Sequence, residues 1–134
     1  MEKETLLIGE IDFDQNLYLE AEIGKINLKS QLGTCKIEVY SNEGPVPHFH
    51  IISKEKKWEC CIEIYRPLYF NHGTKQGKLN NRQCKILDDW MKEKHFPYPL
   101  TYWETAALSW ELNENPMSKI PPAPKKPDYT QLNK

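Results

Sequence analysis

Three short stretches alternate apolar and polar residues with a period of two, and nothing else in the chain restricts its fold as much. In TCKIEVY, residues 34–40, Cys35, Ile37 and Val39 share one side and Lys36, Glu38 and Tyr40 the other. In VPHFHII, residues 46–52, Phe49 and Ile51 face one way and His48, His50 and Ile52 the other. In WECCIEIY, residues 58–65, Trp58, Cys60, Ile62 and Ile64 oppose Glu59, Cys61, Glu63 and Tyr65. Successive side chains of a strand point to opposite faces, so each stretch reads as a strand with one strongly apolar face. SNEGP and KEKK separate them, and connections this short join antiparallel neighbours.

Residues 6–28 alternate more loosely and suggest two further short strands around a turn at 14–16. RPLYFNHGTKQGK, residues 66–78, reads as a loop, because Pro67 and two glycines break its period. The pattern then changes. Cys84, Leu87 and Met91, with Ile86 and Trp90 alongside, form a helical stripe within 80–94, capped by Asn80 or Asn81 with Leu79 as a staple. Pro97 and Pro99 end it. Thr101 and Glu104 make a capping box for a second helix over 102–113, with Trp103, Ala107 and Trp110 on one face. Strands first and helices after predict an α+β fold: an antiparallel β-meander of four to five strands with two helices packed on one face. Residues 1–113 form the expected single domain. Residues 114–134, rich in proline and poor in apolar mass, are expected to be an extended or disordered tail.

With 134 residues, one domain with a real core is affordable. A formal net charge of −1 supplies no electrostatic footing for bulk nucleic acid or an anionic membrane surface. No apolar run reaches the roughly 20 residues of a membrane span, and MEKETLLIGEID is not a secretory signal. The four cysteines include no Cys-x-x-Cys, so reduced thiols packed as small hydrophobes in a cytosol are expected.

His48 and His50 stand two apart on one strand, so their imidazoles share a face. Cys61, Glu63 and Tyr65 alternate in the same sense on the next strand. Pairing those faces brings His48, His50 and Glu63 together, with His72 reaching in from the loop. Two histidines and a carboxylate are a ligand set for zinc or iron, and a histidine beside a glutamate can act as general base. The competing reading is structural: a neutral histidine in a proline-rich turn satisfies stranded backbone groups. The pattern allows a divalent metal at His48 and His50 without requiring one, and names no other cofactor. Arg66 and Tyr65 are pocket candidates at the strand end, since arginine matches phosphate or carboxylate bidentately. Nucleophile motifs and a glycine-rich phosphate loop are lacking, and of the cysteines only Cys61 shares the histidine face.

SNEGPVPHFHI, residues 41–51, resembles a family of small bacterial and phage domains of unknown function that carry an Asn-Glu-x-Pro-Pro-His-x-His hallmark. Asn42, Glu43, Pro47, His48 and His50 match it, and Val46 stands where a proline is common. In outline the resemblance extends over residues 35–112. It implies a toxin–antitoxin-like setting, with a partner protein and a role in bacterial or phage conflict.

Three functions are compatible with these features. The first is a binding module that presents the His48/His50 turn and the 66–78 loop to a partner protein or small ligand. The second is a metal-assisted hydrolase or nuclease using His48, His50 and Glu63. The third is a phage structural or assembly component.

Overall fold

The computed structural model of the protein describes residues 4–14, 32–41, 43–54, 58–71, 77–112 and 120–134. The alternating stretches form strands. β1 (Thr5–Asp12), β2 (Thr34–Tyr40), β3 (His48–Ser53) and β4 (Glu59–Glu63) make one antiparallel sheet in sequence order. Two helices follow, α1 (Asn81–Met91) and α2 (Tyr102–Leu112), and a short 3-10 helix spans Tyr129–Gln131. The class is α+β, as the segregation of strands and helices predicts. The expected strand after residue 16 lies outside the described residues. Among the described residues, no helix is long and apolar enough to cross a membrane.

Register assigns the two faces. Ile37 pairs with Gly9 and Ile51, and Phe49 with Ile62, so these positions share the core side. A register shift between Leu7 and Gly9 leaves Leu6 and Leu7 exposed while Ile8 and Ile11 are buried. Both helices reach the core side at Gly9. A Cβ there would lie 2.9 Å from both Trp90 Cζ2 and Tyr102 Cε1, whose rings stack 3.9 Å apart. Gly9→Ala should therefore push this aromatic pair off the sheet and cost about 1–3 kcal/mol by overpacking. Thermal melting checks it, and an unchanged Tm would show that the pair moves aside freely.

The caps follow the sequence closely. Asn80 accepts from the Gln83 N–H while the Gln83 side chain accepts from the Asn80 N–H, a complete capping box. Thr101 and Glu104 make the same exchange at the start of α2. On α2 the buried residues are Trp103, Ala106, Ser109 and Trp110; the expected Ala107 is only partly buried.

The proline-rich segment departs from expectation. Residues 120–128 contain no helix or strand, but Tyr129 is fully buried and belongs with Leu132 to the same core cluster as the sheet. An extended or disordered tail after a domain closing at residue 113 does not account for this packing: the core takes in Tyr129 and Leu132. The Tyr129 hydroxyl donates to the carbonyls of Glu63 and Ile64 at 3.1 and 3.0 Å, and Trp103 Nε1 donates to the same Ile64 carbonyl at 2.8 Å. The Tyr129 ring meets Phe49 edge-on. Asp88, buried on α1, accepts from the Tyr129 N–H at 2.9 Å and is paired with Lys126 and Lys92. Burial alone would raise the Asp88 carboxyl, but these three donors outweigh it and hold it below its ordinary value. One aromatic anchor and one satisfied carboxylate thus fasten a segment that has no hydrophobic periodicity.

Candidate functional site

The opposite face of the sheet carries the polar residues. His50 pairs with Glu38 on one side and Cys61 on the other, and His48 pairs with Glu63. The two imidazoles sit 5.2 Å apart between ring centroids. They are not a solvent-facing pair: His48 is 0% exposed and His50 4%. Phe70 stacks on His48 at 4.3 Å and Tyr40 on His50 at 4.2 Å. The indole of Trp110 borders His48 at 5.4 Å, and its Nε1–H has no hydrogen-bond partner among the described residues.

Three carboxylates surround this pair, and each has a different role. Gly44 adopts φ +92°, a conformation open to glycine, and the turn it makes sets buried Glu43 over the strand. Glu43 Oε1 lies 2.5 Å from His50 Nε2 and 3.4 Å from His48 Nε2. Glu59, diagonal to His50 on β4 and two residues before its direct partner Cys61, places Oε2 2.5 Å from His50 Nδ1. Glu63, the carboxylate expected to join the histidines, is instead taken by Arg66, whose Nε donates to Oε1 at 2.6 Å. Pairing of the strands does set Glu63 opposite His48, but its side chain answers the guanidinium.

The other expected residues separate from the cluster. β4 ends at Glu63, and the bend at residues 64–67 carries Tyr65 into the core, where it donates to Glu111 at 2.6 Å. Arg66 keeps a half-exposed side chain. His72 lies outside the described residues. Cys61, by contrast, stands beside the cluster, with Sγ 3.2 Å from His50 Nδ1 and 3.9 Å from Glu59 Oε2. Burial first, and then the Glu59 and Glu43 carboxylates, push its thiol up to about 12.

Two groups of side chains here can hold a metal ion, Glu43–His48–His50 and His50–Glu59–Cys61, each with its donor atoms within 4.8 Å of one another. The hydrogen bonds on the far ring atoms distinguish them. His48 Nδ1 lies 2.7 Å from the Val46 carbonyl and, because a carbonyl only accepts, carries the proton. In the neutral ring, Nε2 then presents its lone pair toward Glu43. His50 presents Nε2 to Glu43 and Nδ1 to Glu59. The carbonyl fixes the tautomer of His48, the arrangement of metal-bound histidines, whereas His50 has a carboxylate oxygen on each nitrogen and offers Nε2 inward when its proton lies on Nδ1 beside Glu59.

Neither protein-family models, curated proteins nor solved structures match this chain.

Proposed function

We propose that the protein is a small binding module whose ligand is a divalent transition-metal ion, held by Glu43 Oε1, His48 Nε2 and His50 Nε2. The observation that carries this is the pair of outer acceptors, Val46 O and Glu59 Oε2, which set both Nε2 atoms on one carboxylate oxygen. Tetrahedral bonds of about 2.0–2.1 Å give ligand–ligand edges of about 3.3 Å. The His48–Glu43 edge is 3.4 Å, so it needs no change. The His50–Glu43 edge is 2.5 Å and opens as an ion replaces the shared proton. Two imidazoles and a carboxylate suit zinc ahead of magnesium or calcium. Burial of the histidines favours a small ligand over a protein partner at this point of the surface.

Metal-assisted hydrolysis is the second reading. Three protein ligands leave a fourth position of a tetrahedral ion open, and an ion there would acidify a bound water. The buried Trp110 indole, whose ring borders His48 and whose N–H has no hydrogen-bond partner among the described residues, favours this reading. The chain's own contributions would be to orient the two imidazoles and keep the site dry. A setting in bacterial or phage conflict, with the half-exposed Leu68 and Arg66 of the loop meeting a partner, rests on the resemblance of residues 41–51.

Equilibrium dialysis of the metal-free full chain against zinc tests the first reading. One equivalent should bind. In a Cys61→Ser background, which leaves these three ligands in place, His48→Ala should abolish stoichiometric binding, and Glu59→Gln should weaken it by about 10–100-fold as an outer-shell change. Substoichiometric zinc, or unaltered affinity in His48→Ala on that background, overturns it.

A further inference from the structure

His50 belongs to both donor groups, and it does so through opposite atoms. Nε2 faces Glu43 and His48, while Nδ1 faces Glu59 at 2.5 Å and Cys61 at 3.2 Å. We propose that His50 is the shared ligand of two mutually exclusive metal positions, the second formed by His50 Nδ1, Glu59 Oε2 and Cys61 Sγ and selective for thiophilic ions. This inference rests on the reading of Glu43, His48 and His50 as the first position.

Ligand chemistry separates the two. The first position has nitrogen and oxygen donors only. The second adds sulfur, and a thiolate ligand favours soft ions such as Cd²⁺ or Cu⁺ while still accepting zinc. Two of its edges are near those needed: the Cys61–Glu59 edge is 3.9 Å and the Cys61–His50 edge 3.2 Å, against about 3.3–3.6 Å for a tetrahedral ion with one sulfur ligand. The third, His50–Glu59, is 2.5 Å and must open as an ion replaces the hydrogen bond. Access also differs. The Glu59 side chain is 48% exposed and the Glu43 side chain 3%, so the second position opens to solvent through its carboxylate.

Exclusivity follows from proton accounting. A neutral imidazole has one N–H and one lone pair. An ion at Nε2 leaves the Nδ1–H donating to Glu59. An ion at Nδ1 moves the proton to Nε2, where it donates to Glu43, and the first position is left with Glu43 and His48 alone. Binding at the second position also releases the Cys61 thiol proton to solvent. Filling both positions would require the ring to give up its last proton.

Competition between Co²⁺ and Cd²⁺ tests this on the full chain, kept reduced and metal-free. Co²⁺ alone should bind with ligand-field bands and no thiolate charge-transfer band. Added Cd²⁺ should produce a thiolate-to-cadmium band in the near ultraviolet and release Co²⁺ one for one. Cys61→Ser should show neither the band nor the displacement, with Cd²⁺ affinity lowered by more than the roughly 100-fold upper range of an outer-shell loss. Retention of Co²⁺ while the cadmium band develops overturns exclusivity, and so does Co²⁺ displacement without a band. These wild-type readouts stand even where the serine variant folds poorly. If Co²⁺ binds and Cd²⁺ gives no band, the second position fails and the first survives. If Co²⁺ does not bind, both fail.

Discussion

A chain shortened after Lys125 should lose its cooperative thermal transition, or melt well over 10 °C below the full chain. The deletion removes Tyr129, which is fully buried, together with Leu132. Truncating a core aromatic residue costs about 3–5 kcal/mol. It also strips Asp88 of Lys126 and of the Tyr129 N–H, leaving a buried carboxylate with only Lys92. Breaking one side of a buried pair costs about 3–5 kcal/mol. A domain's whole stability is about 5–15 kcal/mol, so the two losses together approach it. Tyr129→Phe separates the contributions. It keeps the ring against Phe49 and the backbone bond to Asp88, and loses only the hydroxyl's bonds to the Glu63 and Ile64 carbonyls. A drop of about 1–2 kcal/mol is expected for it. Calorimetry of the two variants decides: a shortened chain within about 3 °C of the full one would mean that the segment only rests on the surface.

His50→Ala should abolish metal binding at either position and destabilise the metal-free protein as well. The imidazole stands between Glu43 and Glu59, with carboxylate oxygens 2.5 Å from both nitrogens. Without it, Glu43 is left buried beside His48 and loses its 2.5 Å contact with the imidazole. The expected cost is about 2–4 kcal/mol, from a lost charge-assisted pair and the cavity where Tyr40 had stacked. His50→Gln refills part of the volume and restores one donor, so it should recover stability while metal remains lost. Denaturant melts with and without zinc check this. Zinc-dependent stabilisation of either variant would show that His50 is not a ligand.

The strand pattern carried most of the fold. Alternation at Cys35/Ile37/Val39, Phe49/Ile51 and Cys60/Ile62/Ile64 identified three strands, their core face and the face shared by His48, His50 and Cys61. The carboxylates of the site were harder to read. Direct cross-strand pairing points to Glu63, and the backbone register agrees. Which oxygen reaches an imidazole depends on competitors, and Arg66, three residues on, takes Glu63. Glu59 acts along a diagonal, and Glu43 acts from a loop whose path depends on a positive φ at Gly44. Neither leaves a periodic trace. The one legible sign was that Glu43 sits in the same motif as the histidines. Tyr129 leaves as little trace: Leu132 at i+3 is its one apolar companion, too short a run to read as a stripe, and its anchor points, Asp88 and the end of β4, lie far away in sequence.

Because β3 is paired on both sides, the two histidines are mounted on an interior strand. Backbone amides in such a position open last, with the global unfolding of the domain, whereas edge strands and loops fluctuate at lower free energy. The nitrogen donors are therefore the more firmly held, and the oxygen donors, carried by the 43–47 loop and by the half-exposed Glu59 side chain, are the parts able to swing. Capture and release become a matter of carboxylate motion around a fixed pair of rings. Residence time should then track substitutions that stiffen or loosen the turn at Gly44, while selectivity stays with the strand.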